Sequence, residues 1–414
     1  MKQEQQRVVI IGAGPSGSVA AALLKQQGID ALILEKAVFP RFSIGESLLP
    51  ACMRVLTKAG LVQAVDRAGF QFKNGAAFSR NGKRTAFDFT DKFTPGPGTT
   101  YQVQRARFDK LLADETAAMG VEIRYQHWLT DIHFDADRAL LSVSCEGGED
   151  YQIAADFVLD ASGFGRVLPR LLELEQPSCL PGRRAIFTHI IDGISADNYP
   201  HYDREKILIS VHPDNHDVWY WLIPFSNGTC SLGVVGEPDF FTGYGDDNLE
   251  ALKQITFEEP GLASLLAGAT FPNPAGELGG YSANVKSLWG ERFALLGNAG
   301  EFLDPVFSSG VTIALQSADL AVSALVRQLG GEQVDWQLEY AQPLMRGVDT
   351  FRAYVQGWYS GELQDVIFFE RPDPGIKQKV CSILAGYAWD IDNPYVAQPQ
   401  RRLKTLAEVC RQAN

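Results

Sequence analysis

Apolar positions along the chain fall into short continuous or alternating runs, separated by segments of helical period, and this is the pattern of an α/β protein. Residues 7–11 read as a strand, 17–27 as a helix and 31–34 as a second strand, which together make a βαβ unit. Further on, 105–119 reads as a helix, 121–125 as a strand, and 132–143 and 151–159 carry the runs of additional strands. Between residues 183 and 240 the pattern becomes strand-like and turn-rich, with strands predicted at 185–191, 206–212, 218–224 and 229–235. Such a block, interrupting the first domain, predicts an antiparallel sheet. Residues 254–267 read as a helix broken at Pro260-Gly261, and 293–297 as a strand returning to the first domain before a helix that runs to about Gln328. The stretch 333–414 reads as mostly helical, and Phe351, Tyr354 and Trp358 share one helix face as a core stripe.

Composition narrows the class. A chain of 414 residues exceeds one typical core, so two closely joined domains are expected. Its 45% hydrophobic and 21% charged content is that of a globular protein. A formal charge of −13 argues against nucleic acid and against an anionic membrane face as partners. The polar start, Met1 to Gln6, does not read as a signal peptide, and no run approaches the apolar length of a membrane span. Six scattered cysteines without a C-x-x-C pair are expected to be reduced thiols, consistent with a cytoplasmic protein. The six histidines show no metal-ligand spacing, so no metal site is expected.

The chemistry enters with Gly12, Gly14 and Gly17, spaced G-x-G-x-x-G between the first strand and its helix. Gly12 permits the tight turn, Gly14 lets backbone approach a pyrophosphate, and Gly17 allows close helix–strand packing. The helix N-terminus then offers unpaired N–H groups and a positive dipole end to phosphates. The second strand ends in Glu35, at the expected distance for holding a ribose.

Two later motifs follow in order: a strand ending Asp160-Ala161-Ser162-Gly163, and Gly297-Asn298-Ala299-Gly300-Glu301-Phe302-Leu303-Asp304-Pro305. With the glycine loop they resemble the FAD-binding signatures of the two-dinucleotide-binding flavoproteins, the group that holds aromatic hydroxylases and geranylgeranyl reductases. The resemblance implies an FAD-binding Rossmann-like domain from residues 1–72, 101–178 and 281–332. It implies an inserted antiparallel-sheet substrate domain from 73–100 and 179–280, and a C-terminal helical segment from 333–414. It also implies that Glu35 holds the adenosine ribose, that Arg107 lies near the FAD backbone, and that the loop after Gly297 meets the ribityl chain and flavin. The implied cofactor set is Gly12, Gly14, Ser16, Gly17, Glu35, Lys36, Arg41, Ser47, Arg107, Asp160, Gly297, Asn298, Asp304, Pro305, Gly310 and Val311. The group usually has Asp where this chain has Asn298, but an amide still hydrogen-bonds a hydroxyl.

Four more segments are similar to those of the flavin-dependent halogenases. Trp219-x-Trp221-x-Ile223-Pro224 matches their W-x-W-x-I-P signature, whose indoles crowd the flavin tunnel. Residues 302–311, with Ser308-Ser309-Gly310, match the loop that carries halide, which implies Ser309 and Gly310 as its contacts. Phe70-x-x-Lys73-x-Gly75 matches the segment of the catalytic lysine, and Arg41 to Pro50 the G-E-S segment bordering the flavin. Phe307 stands where tryptophan halogenases carry glutamate, so the resemblance is closer to the phenol and pyrrole branch. Trp219, Trp221, Pro224 and Phe307 are the expected tunnel or substrate side.

The resemblance thus implies a two-component enzyme of secondary metabolism. Reduced FAD comes from a separate flavin reductase, a flavin hydroperoxide and chloride or bromide give hypohalous acid, and Lys73 directs halogen to an electron-rich aromatic, free or tethered to an acyl carrier protein. Two other readings stay open: an FAD-dependent monooxygenase or reductase on an aromatic or lipid-like substrate, and a flavoprotein that has lost catalysis.

Overall fold

The computed structural model describes residues 3–135, 137–195 and 197–413. Its first sheet runs in the order Trp289–Gly290, Phe293–Leu295, Tyr151–Asp160, Gln3–Ile11, Ala31–Glu35, Glu122–Tyr125. From Phe293–Leu295 to Glu122–Tyr125 all neighbours are parallel. Strand Gln3–Ile11 shows why its apolar run is continuous. Side chains alternate between faces, so Val8 and Ile10 join the main core with helix Pro15–Gln26. Val9 and Ile11 face a second core under the hairpin His127–Phe134 and Ala139–Cys145. That hairpin corrects the single strand expected over 132–143, a span in which Ala136 lies outside the described residues.

The second sheet has seven strands in the order Gly276–Gly279, Arg184–Ile191, Thr229–Gly236, Trp219–Pro224, Lys206–Val211, Gly75–Arg80, Lys83–Asp88. It is not purely antiparallel as expected, because Lys206–Val211 pairs with Gly75–Arg80 in parallel. No hairpin links these two strands, so nothing local fixes their relative direction. Alternation again sorts the side chains. Trp219, Trp221 and Ile223 face the main core, whereas Tyr220 and Leu222 face helices Asn248–Glu258 and Pro260–Leu265. Lys73 belongs to neither large sheet; it ends strand Gln71–Lys73, which pairs only with Thr100–Gln102.

Helix Ser309–Leu329 is long and apolar enough to cross a membrane, contrary to the expectation that no run would be. Most of it is nonetheless buried inside the fold, against Pro15–Gln26 and the C-terminal helix Gln342–Tyr359. Phe351, Tyr354 and Trp358 are buried on the inner face of that C-terminal helix, as the periodicity predicts. All six cysteines are free thiols.

Gly233 lies directly across from Trp221 in the second sheet, and a Cβ there would sit 2.2 Å from the indole ring. Gly233→Ala should therefore lower stability by about 1–3 kcal/mol through overpacking, read from the urea midpoint. An unchanged midpoint would show that the indole has free room to move.

Candidate active site

The carboxyl ends of the first sheet open into a cavity of about 430 Å³ that reaches across to the inner face of the second sheet. At one end is the glycine loop. Gly12 has φ +99° and a Cβ there would lie 2.6 Å from the Ala161 carbonyl oxygen; at Gly17 it would lie 1.9 Å from that of Gly12. Both are packing glycines. Gly14 differs, because the nearest atom to its virtual Cβ is an Arg41 nitrogen at 3.5 Å, so it faces open space. It caps helix Pro15–Gln26 without a side-chain acceptor, leaving the first-turn N–H groups directed at the cavity. Glu35 accepts from the amides of Ala13 and Ala37, each at 2.8 Å, which pins the second strand to the glycine loop and leaves lone pairs for hydroxyls. Gly12, Gly14, Ser16, Glu35, Lys36, Arg41 and Ser47 all line the cavity.

Asp160 does not. It is buried, accepting from Ser162 at 2.9 Å and Leu168 at 2.7 Å, so it shapes the loop behind the cavity. Arg107 also stands away from it, donating to the Ala68 carbonyl at 3.0 Å over the Phe70 ring. Of the two arginines on that helix, the one at the cavity is Arg105, paired with Asp109 at 2.7 and 3.0 Å. Arg105, Phe108, Asp109 and Leu112 share the buried face of their helix, so its period was the signal that distinguished the two arginines.

The returning loop brings Asn298, Pro305, Gly310 and Val311 to the cavity, while Gly297, with φ +52°, packs against Ala314. The loop enters helix Ser309–Leu329 through Ser308, which has left-handed backbone at φ 55°. Ser308 faces the cavity and Ser309 turns into the protein. Asp304 lies behind the wall, capping the turn Pro305–Phe307 through the Val306 amide at 3.0 Å.

On the opposite side Trp219 and Trp221 line the cavity with ring centroids 5.9 Å apart. Pro224 lies outside it, and Phe307 is packed edge-on against Tyr354 and Trp358. Phe302 and the buried Glu46, paired with His189 at 2.9 Å, also line the cavity, each from a motif segment but not named as a site residue, and Tyr281 lines it from outside every motif. Burial lowers the His189 pKa, but the Glu46 carboxylate outweighs it and leaves the imidazole raised.

Lys73 is fully buried, one hydrogen bond behind the wall. Its amine donates to the Ser47 hydroxyl and the Leu48 carbonyl, each at 2.8 Å, beside the Phe89 ring. With no carboxylate partner among the described residues, burial pushes its pKa down to about 7, and the nearby Cys52 thiol is pushed up to about 12 by its own burial.

Unshielded helix N–H groups, a side-chain-free Gly14 and a ribose-height carboxylate fit the phosphates and ribose of a flavin dinucleotide. Residues 5–188 match the family model described as an FAD binding domain. The chain is 30% identical over 352 residues to flavin-dependent halogenase armH3 of Armillaria mellea, covering 78% of this chain and 68% of that protein. It is 26% identical to a 1H-pyrrole-2-carbonyl-(peptidyl-carrier protein) chlorinase of Pseudomonas fluorescens, over 93% of this chain and 90% of the other. Among solved structures, a flavoprotein/dehydrogenase from Cytophaga hutchinsonii superposes with a TM-score of 0.95 and 42% identity, covering 99% of this chain and 100% of that one.

Gly14→Ala should fold normally, since its backbone suits any residue, yet weaken FAD retention at least about tenfold, or ~1.4 kcal/mol, by intruding on the phosphates. Flavin content after gel filtration reads this; full retention would move the phosphates elsewhere. The buried amine makes a second prediction. The unfolded chain keeps the Lys73 proton up to 10.5 while the folded one releases it near 7, so the unfolded state binds more protons between those values. Stability due to this group therefore rises with pH from 7 to 10.5, by at most roughly 1.4 kcal/mol per unit. Lys73→Met should remove that rise in urea midpoints; parallel curves would mean the amine stays charged when buried.

Proposed function

Since the chain belongs to the family of flavin-dependent halogenases, we propose that it halogenates an electron-rich aromatic ring, a pyrrole or phenol, with reduced FAD delivered by a separate reductase. The observation that carries this reading is the meeting, at one cavity, of the glycine loop, the helix entry at Ser308 and Gly310, the Trp219–Trp221 wall and Ser47 bound to Lys73.

Bound and reduced, FAD supplies the two electrons with which dioxygen is activated. The protein does the rest. The entry of helix Ser309–Leu329 offers backbone N–H groups and a positive dipole end, a suitable seat for chloride or bromide. Ser308 and Gly310 stand at that seat, with the Ser309 amide in the same turn. Trp219 and Trp221 fill the wall and keep an aromatic substrate from direct approach to the cofactor. Lys73, its pKa about 7, presents both charged and neutral forms near neutrality. Its ammonium donates to Ser47, whose own O–H is then free to point into the cavity and hold hypohalous acid. Phe307 offers no carboxylate to deprotonate a substrate, which suits a ring whose own substituent stabilises the cationic intermediate. The likeness to the Pseudomonas pyrrole chlorinase supports a carrier-tethered pyrrole as the first substrate to try.

A second reading, FAD-dependent oxidation or reduction without halogen, is favoured by the enclosure of Lys73 behind Ser47 and by the likeness to the Cytophaga flavoprotein/dehydrogenase.

Aerobic turnover with an unrelated flavin reductase, NADH, FAD and bromide, over phenols, free pyrroles and carrier-bound pyrroles, separates the two. Brominated product is expected, lost at least about a hundredfold in Lys73→Met with flavin reoxidation preserved. Hydroxylated product, or turnover indifferent to bromide, would overturn the halogenase reading in favour of the second.

A further inference from the structure

Behind the tryptophan wall runs a buried hydrogen-bond chain that none of the sequence motifs contains as a unit. The Trp219 indole N–H donates to the Tyr359 hydroxyl at 3.0 Å, and that hydroxyl donates to an Asp304 carboxylate oxygen at 2.9 Å. Tyr281, itself on the cavity, donates to the same oxygen at 3.3 Å. Both chain ends, Trp219 and Tyr281, therefore line the cavity, while Tyr359 and Asp304 sit behind it. The Arg183 guanidinium covers the Tyr359 ring at 3.9 Å and is held in turn by Asp217 at 3.3 Å, with Glu237 at 3.8 Å.

Tyr359 is the last residue of helix Gln342–Tyr359, and this helix grips the returning loop along its length. Arg352 pairs with Glu301 at 3.0 Å, Tyr354 and Trp358 pack on Phe307, and Tyr359 holds Asp304. A phenol has one proton to give. Giving it to Asp304 leaves the oxygen lone pairs free for the indole, so the orientation of the whole chain is determined. If the indole rotated away, its N–H would lose its acceptor and the Tyr359 oxygen its donor, which is costly in a buried setting.

We propose that Tyr359 is a positioning residue for the site: its hydroxyl fixes the Trp219 indole against the cavity, so that the C-terminal helical segment decides how tightly the wall beside the cofactor closes. The proposal rests on the functional reading above for its consequence, since a loosened wall lets the activated oxygen escape as hydrogen peroxide. Its structural content does not depend on that reading.

The test is Tyr359→Phe, which keeps the ring under Arg183 and removes only the hydroxyl. Trp219 and Trp221 are close and tilted by 47°, so they should give an exciton couplet in circular dichroism. In the FAD-loaded variant that couplet is expected to shrink and shift, with flavin content unchanged. In turnover, hydrogen peroxide released per flavin oxidised should rise about threefold to tenfold, the range opened by losing one buried hydrogen bond. Trp219→Phe, which lacks the donor, should raise it similarly, and the double variant should add nothing further. An unaltered couplet in Tyr359→Phe, or additive effects in the double variant, would overturn the proposal. If the wild-type protein makes no halogenated product, the functional reading fails while the couplet still decides the role of Tyr359.

Discussion

Three backbone hydrogen bonds lock the ends of the first sheet together. Gly12 donates to Leu34, Ala161 to Ile11, and Leu296 to Asp160, at 2.8 to 2.9 Å. They bring three loops separated by well over a hundred residues to one level, and each loop contributes one wall of the cavity. The virtual Cβ contacts at Gly12 and Gly17 show how little space this leaves. Everything farther along, including the helix entry at Ser308 and the tryptophan wall, is placed relative to that junction.

Lys73 illustrates a different constraint. An ammonium without a carboxylate partner in a dry interior is unfavourable, and the fall of its pKa from 10.5 to about 7 corresponds to roughly 5 kcal/mol. The fold tolerates the group because an amine can shed its proton, which a guanidinium cannot. Its two partners, a hydroxyl and a carbonyl, accept from either form. A buried arginine answers the same problem by pairing: Arg105 with Asp109.

Local spacing was legible in the sequence. The glycine loop, Glu35 and the alternation that puts Trp219 and Trp221 on one face all follow from periods of two and of 3.6 residues. What spacing could not show was set by loops and by distant packing. Ser308, with left-handed backbone, lines the cavity where Ser309 was expected to, and a two-residue step along one helix separates Arg105 from Arg107. Asp160 and Asp304 were marked by motif yet serve as loop pins behind the wall, because their carboxylates are saturated by nearby amides and hydroxyls. The direction of Gly75–Arg80 against Lys206–Val211 depends on two segments far apart in the chain, and no local pattern records it.

That parallel junction also bears on how the chain reaches its folded state. Strand Gly75–Arg80 is made early, but its inner neighbour arrives only with Lys206–Val211, and Gln3–Ile11 likewise waits for Tyr151–Asp160. Closing such wide loops carries an entropic cost before any pairing energy returns, so both sheets belong to the slow, non-local class of folding topologies. During synthesis Gln3–Ile11 can pair with Ala31–Glu35 and Gly75–Arg80 with Lys83–Asp88, but the other edge of each strand stays open while some hundred and thirty residues follow. The same connectivity that gathers three loops at one cavity leaves the nascent chain with exposed strand edges for most of its synthesis, a period when a chaperone is of most use.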